Sequence, residues 1–223
     1  MSDLSGTQRV PVAAPLFPLP SVVLFPKAVL PLHVFEERYK TMTADVLRGH
    51  RQIAMALLRP GWEKNYYGHP AIEPVVCVGT ILSHERLSDG RYNFLLQGHT
   101  RAGIVREVGE APYRQAELEP LVETETSELD LADARRRLVE LFDRDAYAAL
   151  PGGGQMRQLL ASAVPTHVIT DLLAFNVLPD DQVALKQALL AETSARSRAL
   201  RIIEALAALR PAWQNVPHSA SLN

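Results

Sequence analysis

Pro15-Leu16-Phe17-Pro18-Leu19-Pro20-Ser21-Val22-Val23-Leu24-Phe25-Pro26-Lys27-Ala28-Val29-Leu30-Pro31-Leu32-His33-Val34-Phe35-Glu36-Glu37-Arg38-Tyr39 is the stretch from which the fold is read. It is apolar enough to raise the question of a membrane anchor or a signal peptide. Pro18, Pro20, Pro26 and Pro31 would each remove a helical hydrogen bond and Lys27 interrupts the run, whereas a span needs about 20 apolar residues in helix. The residues ahead of it, Met1 to Ala14, carry Arg9 as their one positive group and form no basic n-region. A cytoplasmic protein that makes no use of a membrane is the expectation. The same prolines suit extended chain, and Pro26 and Pro31 suit an edge strand, because each would leave a donor gap in a central ladder. The stretch ends in a helix: Phe35, Tyr39, Met42 and Val46 fall at helical spacing on one stripe. Glu36 is expected in the first turn, where the macrodipole favours a carboxylate, with Arg38 placed to pair with it or with a neighbouring carboxylate.

Outward from this stretch, a period of two broken by turn residues continues to Pro120 and predicts a β-rich domain. Ile53 to Leu58 is apolar on both faces and stops at Arg59-Pro60-Gly61, as a buried central strand would. Val76, Val78, Thr80 and Leu82 alternate towards Ser88-Asp89-Gly90, and Tyr92, Phe94 and Leu96 alternate on the return, which predicts a hairpin with a positive-φ turn. Further strands are expected at Arg101 to Glu107 and Tyr113 to Leu118, and Gly79, Gly98 and Gly103 mark bulges or bends.

After Pro120 the period changes to helical. Leu131, Ala134, Leu138, Leu141 and Phe142 share one face, and Met156, Leu159, Leu160 and Ala163 another. Asp180 and Ser194 are the expected N-caps of two further helices, and Pro211 the expected stop of the last. The domain reading is a flexible N-terminus over 1–14, a β domain over 15–122, a helical bundle over 123–211 and a tail over 212–223, with Trp213 as a candidate to fold back.

With 223 residues, 47% of them hydrophobic, and a formal net charge of −2, the chain can bury a sizeable core and has no global basic field for nucleic acid. Its single cysteine, Cys77, lies in an apolar run and is expected to be a buried thiol in a reducing compartment.

The opening blocks, Pro15 to Pro20, Val23 to Pro26 and Leu30 to Tyr39 followed by Met42, closely resemble the start of the amino-terminal domain family of Lon proteases. Val78-Gly79-Thr80-Ile81, Asp89-Gly90-Arg91-Tyr92 with Gly98 and Arg101, Tyr113-Arg114, Asp171 to Phe175 and Lys186 to Leu190 resemble its later motifs, so the resemblance covers residues 15 to 210. Lys27 stands where family members often carry glycine. The resemblance implies an α+β fold, a PUA-like small β-barrel of about six strands followed by a C-terminal helical bundle. Pro26, Pro31, Phe35, Glu36, Arg38, Tyr39, Gly79, Asp89, Gly90, Gly98 and Arg101 would be its motif residues, read here as structural.

Complete Lon proteases continue into an ATPase and a Ser-Lys peptidase, and this chain is expected to be a stand-alone, non-enzymatic recognition domain. Pro151-Gly152-Gly153-Gly154-Gln155 lacks the G-K-[ST] ending that contacts phosphate and magnesium, and no G-x-S-x-G elbow occurs. His84-Glu85 starts a zinc-protease motif, but Ser88 stands where its second histidine belongs. No catalytic residue, metal ligand or cofactor is expected.

The segment Arg59 to Pro70 is overbuilt for a connector, with Trp62, Tyr66 and Tyr67 between two strand signals. Two readings stand: the aromatics cap one end of the barrel, or they grip apolar and peptide groups of a ligand. The leading functional expectation is a module that holds unfolded or extended polypeptide, by pairing at a sheet edge and apolar pockets, and presents it to a protease or chaperone. Two rivals remain: an RNA-binding PUA-like module using Arg91, Arg101, Arg106 and Arg114 as a basic stripe, and a structural adaptor docking on a protein partner.

Overall fold

The computed structural model describes residues 13–144, 147 and 150–214, with side chains described up to residue 209. The expected flexible N-terminus up to residue 12, the tail beyond residue 214 and the side chain of Trp213 lie outside the described residues. The strands are β1 (Ala13–Leu19), β2 (Val29–Val34), β3 (Gln52–Leu57), β4 (Val75–Arg86), β5 (Tyr92–Val108) and β6 (Gln115–Pro120). The helices among the described residues are α1 (Glu37–Arg48), α2 (Glu128–Phe142), α3 (Gly153–Leu160), α4 (Thr166–Asn176), α5 (Val183–Ala191) and α6 (Ala195–Gln214). The fold is α+β, as expected. Two compact units divide the described residues: 13–123 with 179–193, and 124–178 with 194–214.

In the first unit the strands run in the order β2-β5-β4-β3-β1-β6, and β6 pairs back onto β5, so the ladder returns on itself and leaves β2 as an appended edge. β1 and β3 are parallel, with Leu16 opposite Ala54, and the remaining pairs are antiparallel. Small side chains fill the inside: Ala14, Leu16, Ala54, Ala56, Val76 and Ala102 form one buried cluster. β3 is buried at all six positions, because its second face, with Ile53, Met55 and Leu57, is covered as well. That two-sided burial is why its sequence is continuously apolar.

The hairpin forms as read, with Gly90 at φ +82 and the Gly90 N–H donating to the Leu87 carbonyl at 3.0 Å. Its strict alternation does not hold. Leu82 is an extra residue between the Ile81–Leu96 and Ser83–Leu95 pairs, so it turns outward and is 49% exposed while Ile81 is buried. A bulge shifts the inward set by one residue beyond itself. A second register shift falls where Val78 faces Thr100 but Gly79 faces Gly98. There the chain comes so close that a side chain on Gly98 would run into the Phe25 carbonyl oxygen, and one on Gly79 would lie 2.9 Å from the Gln97 carbonyl oxygen. Arg101 to Glu107 is a continuation of β5 rather than a strand of its own.

Two expectations about α1 are corrected. The helix starts at Glu37, so Glu36 is its N-cap residue in extended conformation and does not lie in the first turn. Phe35 lies ahead of the helix and is 63% exposed, while Thr43 joins Tyr39, Met42 and Val46 on the buried face. The extended cap turns residue 35 away from the stripe that the spacing assigns to it.

The second unit is held by its own core, including Leu131, Leu138, Phe142, Leu173, Ile202 and Leu206. Ser127 and Asp130 close a capping box at the start of α2. Arg135 in α2 donates to the Leu160, Ser162 and Val164 carbonyls, satisfying the orphan acceptors around the end of α3. α3 ends at Leu160, which leaves Ala163 beyond it and exposed. Ser194 accepts from the Ser197 N–H at 3.3 Å, as an N-cap does. Pro211 does not stop α6, which runs on to Gln214.

Candidate functional site

The aromatic loop is tethered. Gly61, at φ +89, turns the chain into a 3-10 turn over Trp62–Asn65, after which Tyr66 and Tyr67 follow. Trp62 and Tyr66 are half-buried and meet edge to face at 5.4 Å. Tyr67 leans edge-on against Tyr66 at 5.2 Å but is 88% exposed. The Tyr66 hydroxyl donates to the Glu36 carboxylate at 2.6 Å, and the Arg38 Nε donates to the same carboxylate at 3.0 Å. The Arg38 guanidinium lies 4.6 Å over the Tyr39 ring and 5.1 Å from the Tyr66 ring, and Tyr39 packs on Phe17 at 4.4 Å. Glu36, Arg38 and Tyr39 thus form a relay from the sheet to the loop.

The electrostatics agree with that role. Burial pushes the Tyr39 hydroxyl up to about 12. Burial, and then the hydrogen bond to Glu36, raise Tyr66, so it stays a donor at neutral pH. Burial works against the Arg38 charge, but Tyr39 and Glu36 outweigh it and raise its pKa.

Trp62 forms part of the wall of an apolar cleft of about 640 Å³ inside the first unit. One side is Pro20, Leu57 and Leu58, at the ends of β1 and β3, with Pro60 and Pro74 from the loop's two ends. The other is α5, which presents Val183, Ala184, Ala188 and Ala191. Its sequence neighbours lie in the second unit, yet α5 is fixed to the sheet: the Gln187 side-chain amide donates to the Val75 carbonyl at 2.8 Å, and the Arg101 Nε donates to the Leu190 carbonyl at 3.1 Å. Asp180 does not cap α5. Gln182 holds the cap position, and Asp180 accepts from the buried Lys186 ammonium at 3.1 Å. The charged residues of the cleft wall are Glu73 and Asp181, and no lysine or arginine lines it.

Sequence reading named Trp62, Tyr66 and Tyr67 together, of which Trp62 stands in the cleft wall, Tyr66 packs against it and Tyr67 is exposed. It missed Gln187, Asp181 and the small-residue face of α5. Val183, Ala184, Gln187, Ala188 and Ala191 recur at helical spacing and form a second stripe beside the buried Lys186 and Leu189 that was there to be read.

The other motif residues build the frame. Pro26 lies in the turn before β2, and Pro31 within β2, paired with Leu95. Asp89 accepts from the Arg91 N–H and Nε at 3.1 and 2.6 Å and shapes the hairpin turn with Gly90. β2 is the edge strand of the ladder, and a proline there removes a donor from main-chain pairing with a ligand. Arg101 is 2% exposed and paired with Glu123. With Arg91 on Asp89, Arg106 on Glu117 and Arg114 on Glu107, all four arginines of the postulated RNA-binding stripe are engaged with carboxylates. Cys77 is fully buried. Among the described residues no cluster of three or more His, Cys, Asp or Glu side chains has the geometry of a metal site, and no helix is long and apolar enough to cross a membrane.

The pattern of the ATP-dependent protease La (LON) substrate-binding domain matches residues 13–208. The chain belongs to this family. The Lon substrate-binding domain family relates it to Lon protease 2 of Myxococcus xanthus, 27% identical over 214 residues covering 91% of this chain and 24% of that protein. The Lon protease of Desulfosudis oleivorans is 29% identical over 119 residues, 53% of this chain and 15% of that protein. The chain thus spans a quarter or less of the length of these curated relatives. Among solved structures, the N-terminal domain of a Mycobacterium avium complex Lon protease superposes with a TM-score of 0.66 at 14% identity, over 87% of this chain and 98% of that one. The Lon N-terminal domain protein from Xanthomonas campestris gives 0.60 at 22% identity, over 86% of this chain and 97% of that one. Both likenesses concern the fold.

Proposed function

We propose that this Lon substrate-binding-domain protein holds unfolded or extended polypeptide without catalysing a reaction, seating apolar side chains in the cleft between Trp62 and α5, in the cytoplasm and in the service of a protease or chaperone. The observation that carries the reading is the cleft itself. It is concave, walled by aliphatic side chains, prolines and one indole, and its aromatic loop is held in place by Glu36, Arg38 and Tyr39 rather than left to order on binding. Seating in a pocket agrees with this geometry better than strand addition at β2, where Pro31 lacks a donor. The test compares Trp62→Ala with Tyr67→Ala for binding to a panel of denatured proteins. Trp62→Ala is expected to weaken binding about tenfold or more, as loss of an aromatic anchor does, and Tyr67→Ala to leave it within about twofold. Equal binding by parent and Trp62→Ala, with both folded, would refute the cleft as the site.

A further inference from the structure

The cleft's charged groups carry one sign. Asp181 and Glu73 are its two charged residues, and Gln187 commits its amide N–H to the Val75 carbonyl. Glu73 is shared with Arg59, whose Nε is 3.4 Å away. Asp180, next in sequence to Asp181, is held by Lys186. Asp181 has no ion-pair partner among the described residues, so its carboxylate is available at the rim. The two carboxylates share the cleft with a mostly apolar lining, and its one aromatic residue, Trp62, is of the kind that attracts cations over its face.

We propose that the cleft selects an extended polypeptide segment in which an apolar side chain has a lysine or arginine beside it, with Asp181 reading the cation. The inference rests on the polypeptide-binding reading and adds a charge rule to it. An acidic neighbour would be set against carboxylates with no cationic side chain in the lining to answer it, so the same apolar anchor is accepted or refused by its flank. Because Asp181 is at the surface, the discrimination is that of an exposed ion pair, roughly three- to tenfold between lysine and glutamate flanks and smaller as salt is added.

The experiment uses fluorescein-labelled twelve-residue peptides with a central leucine or phenylalanine flanked by lysine, serine or glutamate, titrated with the whole chain by anisotropy at low and high salt. Affinity is expected to fall in the order lysine, serine, glutamate. Asp181→Asn should remove the lysine preference and Asp181→Lys invert it, with circular dichroism showing that both variants fold. Equal affinity for all flanks would overturn the charge rule and leave polypeptide binding standing. A lysine preference unchanged in Asp181→Lys would overturn the role of Asp181. No binding by any peptide would overturn both the rule and the reading beneath it.

Discussion

Lys27 adopts φ +67, a left-handed conformation in which a side chain crowds the following carbonyl. Its N–H nevertheless donates to the Gly98 carbonyl at 2.7 Å, and the Gly98 N–H returns to the Ala28 carbonyl at 2.9 Å, so the turn is pinned to the bulge in β5. Lys27→Gly is therefore expected to raise stability by about 0.5–1 kcal/mol, the strain relieved exceeding the entropy glycine adds to the unfolded chain. A melting temperature higher by ~1–4 °C would show it. The same bulge carries His99, whose Nδ1 meets the Thr100 hydroxyl at 2.8 Å while its Nε2 is buried without a partner. Burial, and then the charge of Lys27, push His99 down from 6.5 to about 4. The unfolded chain takes up a proton near pH 6.5 and the folded chain does not until about 4, so this contribution to stability is complete above pH 6.5 and is lost as pH falls towards 4. Denaturation midpoints at pH 7.5 and 5 should differ more in the parent than in His99→Gln. At this scale the sequence was half legible. Lys27 stood out as a departure from a glycine position, but nothing around His99 told it from the other histidines, because burial in a bulge is set by the partner strand.

Among the elements, the loop and α5 are positioned by side chains that sequence reading classed as structural, and their structural work is what builds the cleft. Tyr66→Phe deletes the bond to Glu36 and is expected to cost about 1 kcal/mol. Amide exchange over residues 61–68 should quicken while β3 and β4 keep their protection. Arg101 ties β5 to the C-terminal end of α5 and to Glu123. Arg101→Met removes that donor from the Leu190 carbonyl and breaks the ion pair with Glu123. Because Glu123 reaches solvent, a loss on the order of 2–3 kcal/mol is expected, below the range for a fully buried pair. Urea denaturation measures it, and peptide affinity should fall as well if α5 is the cleft wall. Strand positions and the hairpin turn were legible because a period of two and a positive-φ glycine are local signals. The bulge at Leu82 was not, since it depends on how two strands are counted against each other.

For the whole molecule, the sequence showed a β half and a helical half but not that residues 179–193 return to the sheet. The stripe of α5 says that one face is buried, and an apolar face does not name what it packs on. The chain divides into two compact units, and these are expected to be separable by mutation. Asp171 and Arg198 pair at 3.3 Å, both almost wholly buried, linking α4 to α6 within the second unit. Removing the carboxylate breaks this buried pair, a change on the order of 3–5 kcal/mol. That is comparable to the whole stability of a modest domain. Asp171→Ala is accordingly expected to expose the amides of α2, α4 and α6 to rapid hydrogen exchange while those of β1, β3 and β4 remain protected, because the sheet's ring of pairings and its small-residue core do not include that ion pair. Simultaneous loss of protection in both sets would mean that the two cores melt as one, and peptide binding at the cleft would then disappear with the bundle instead of surviving it.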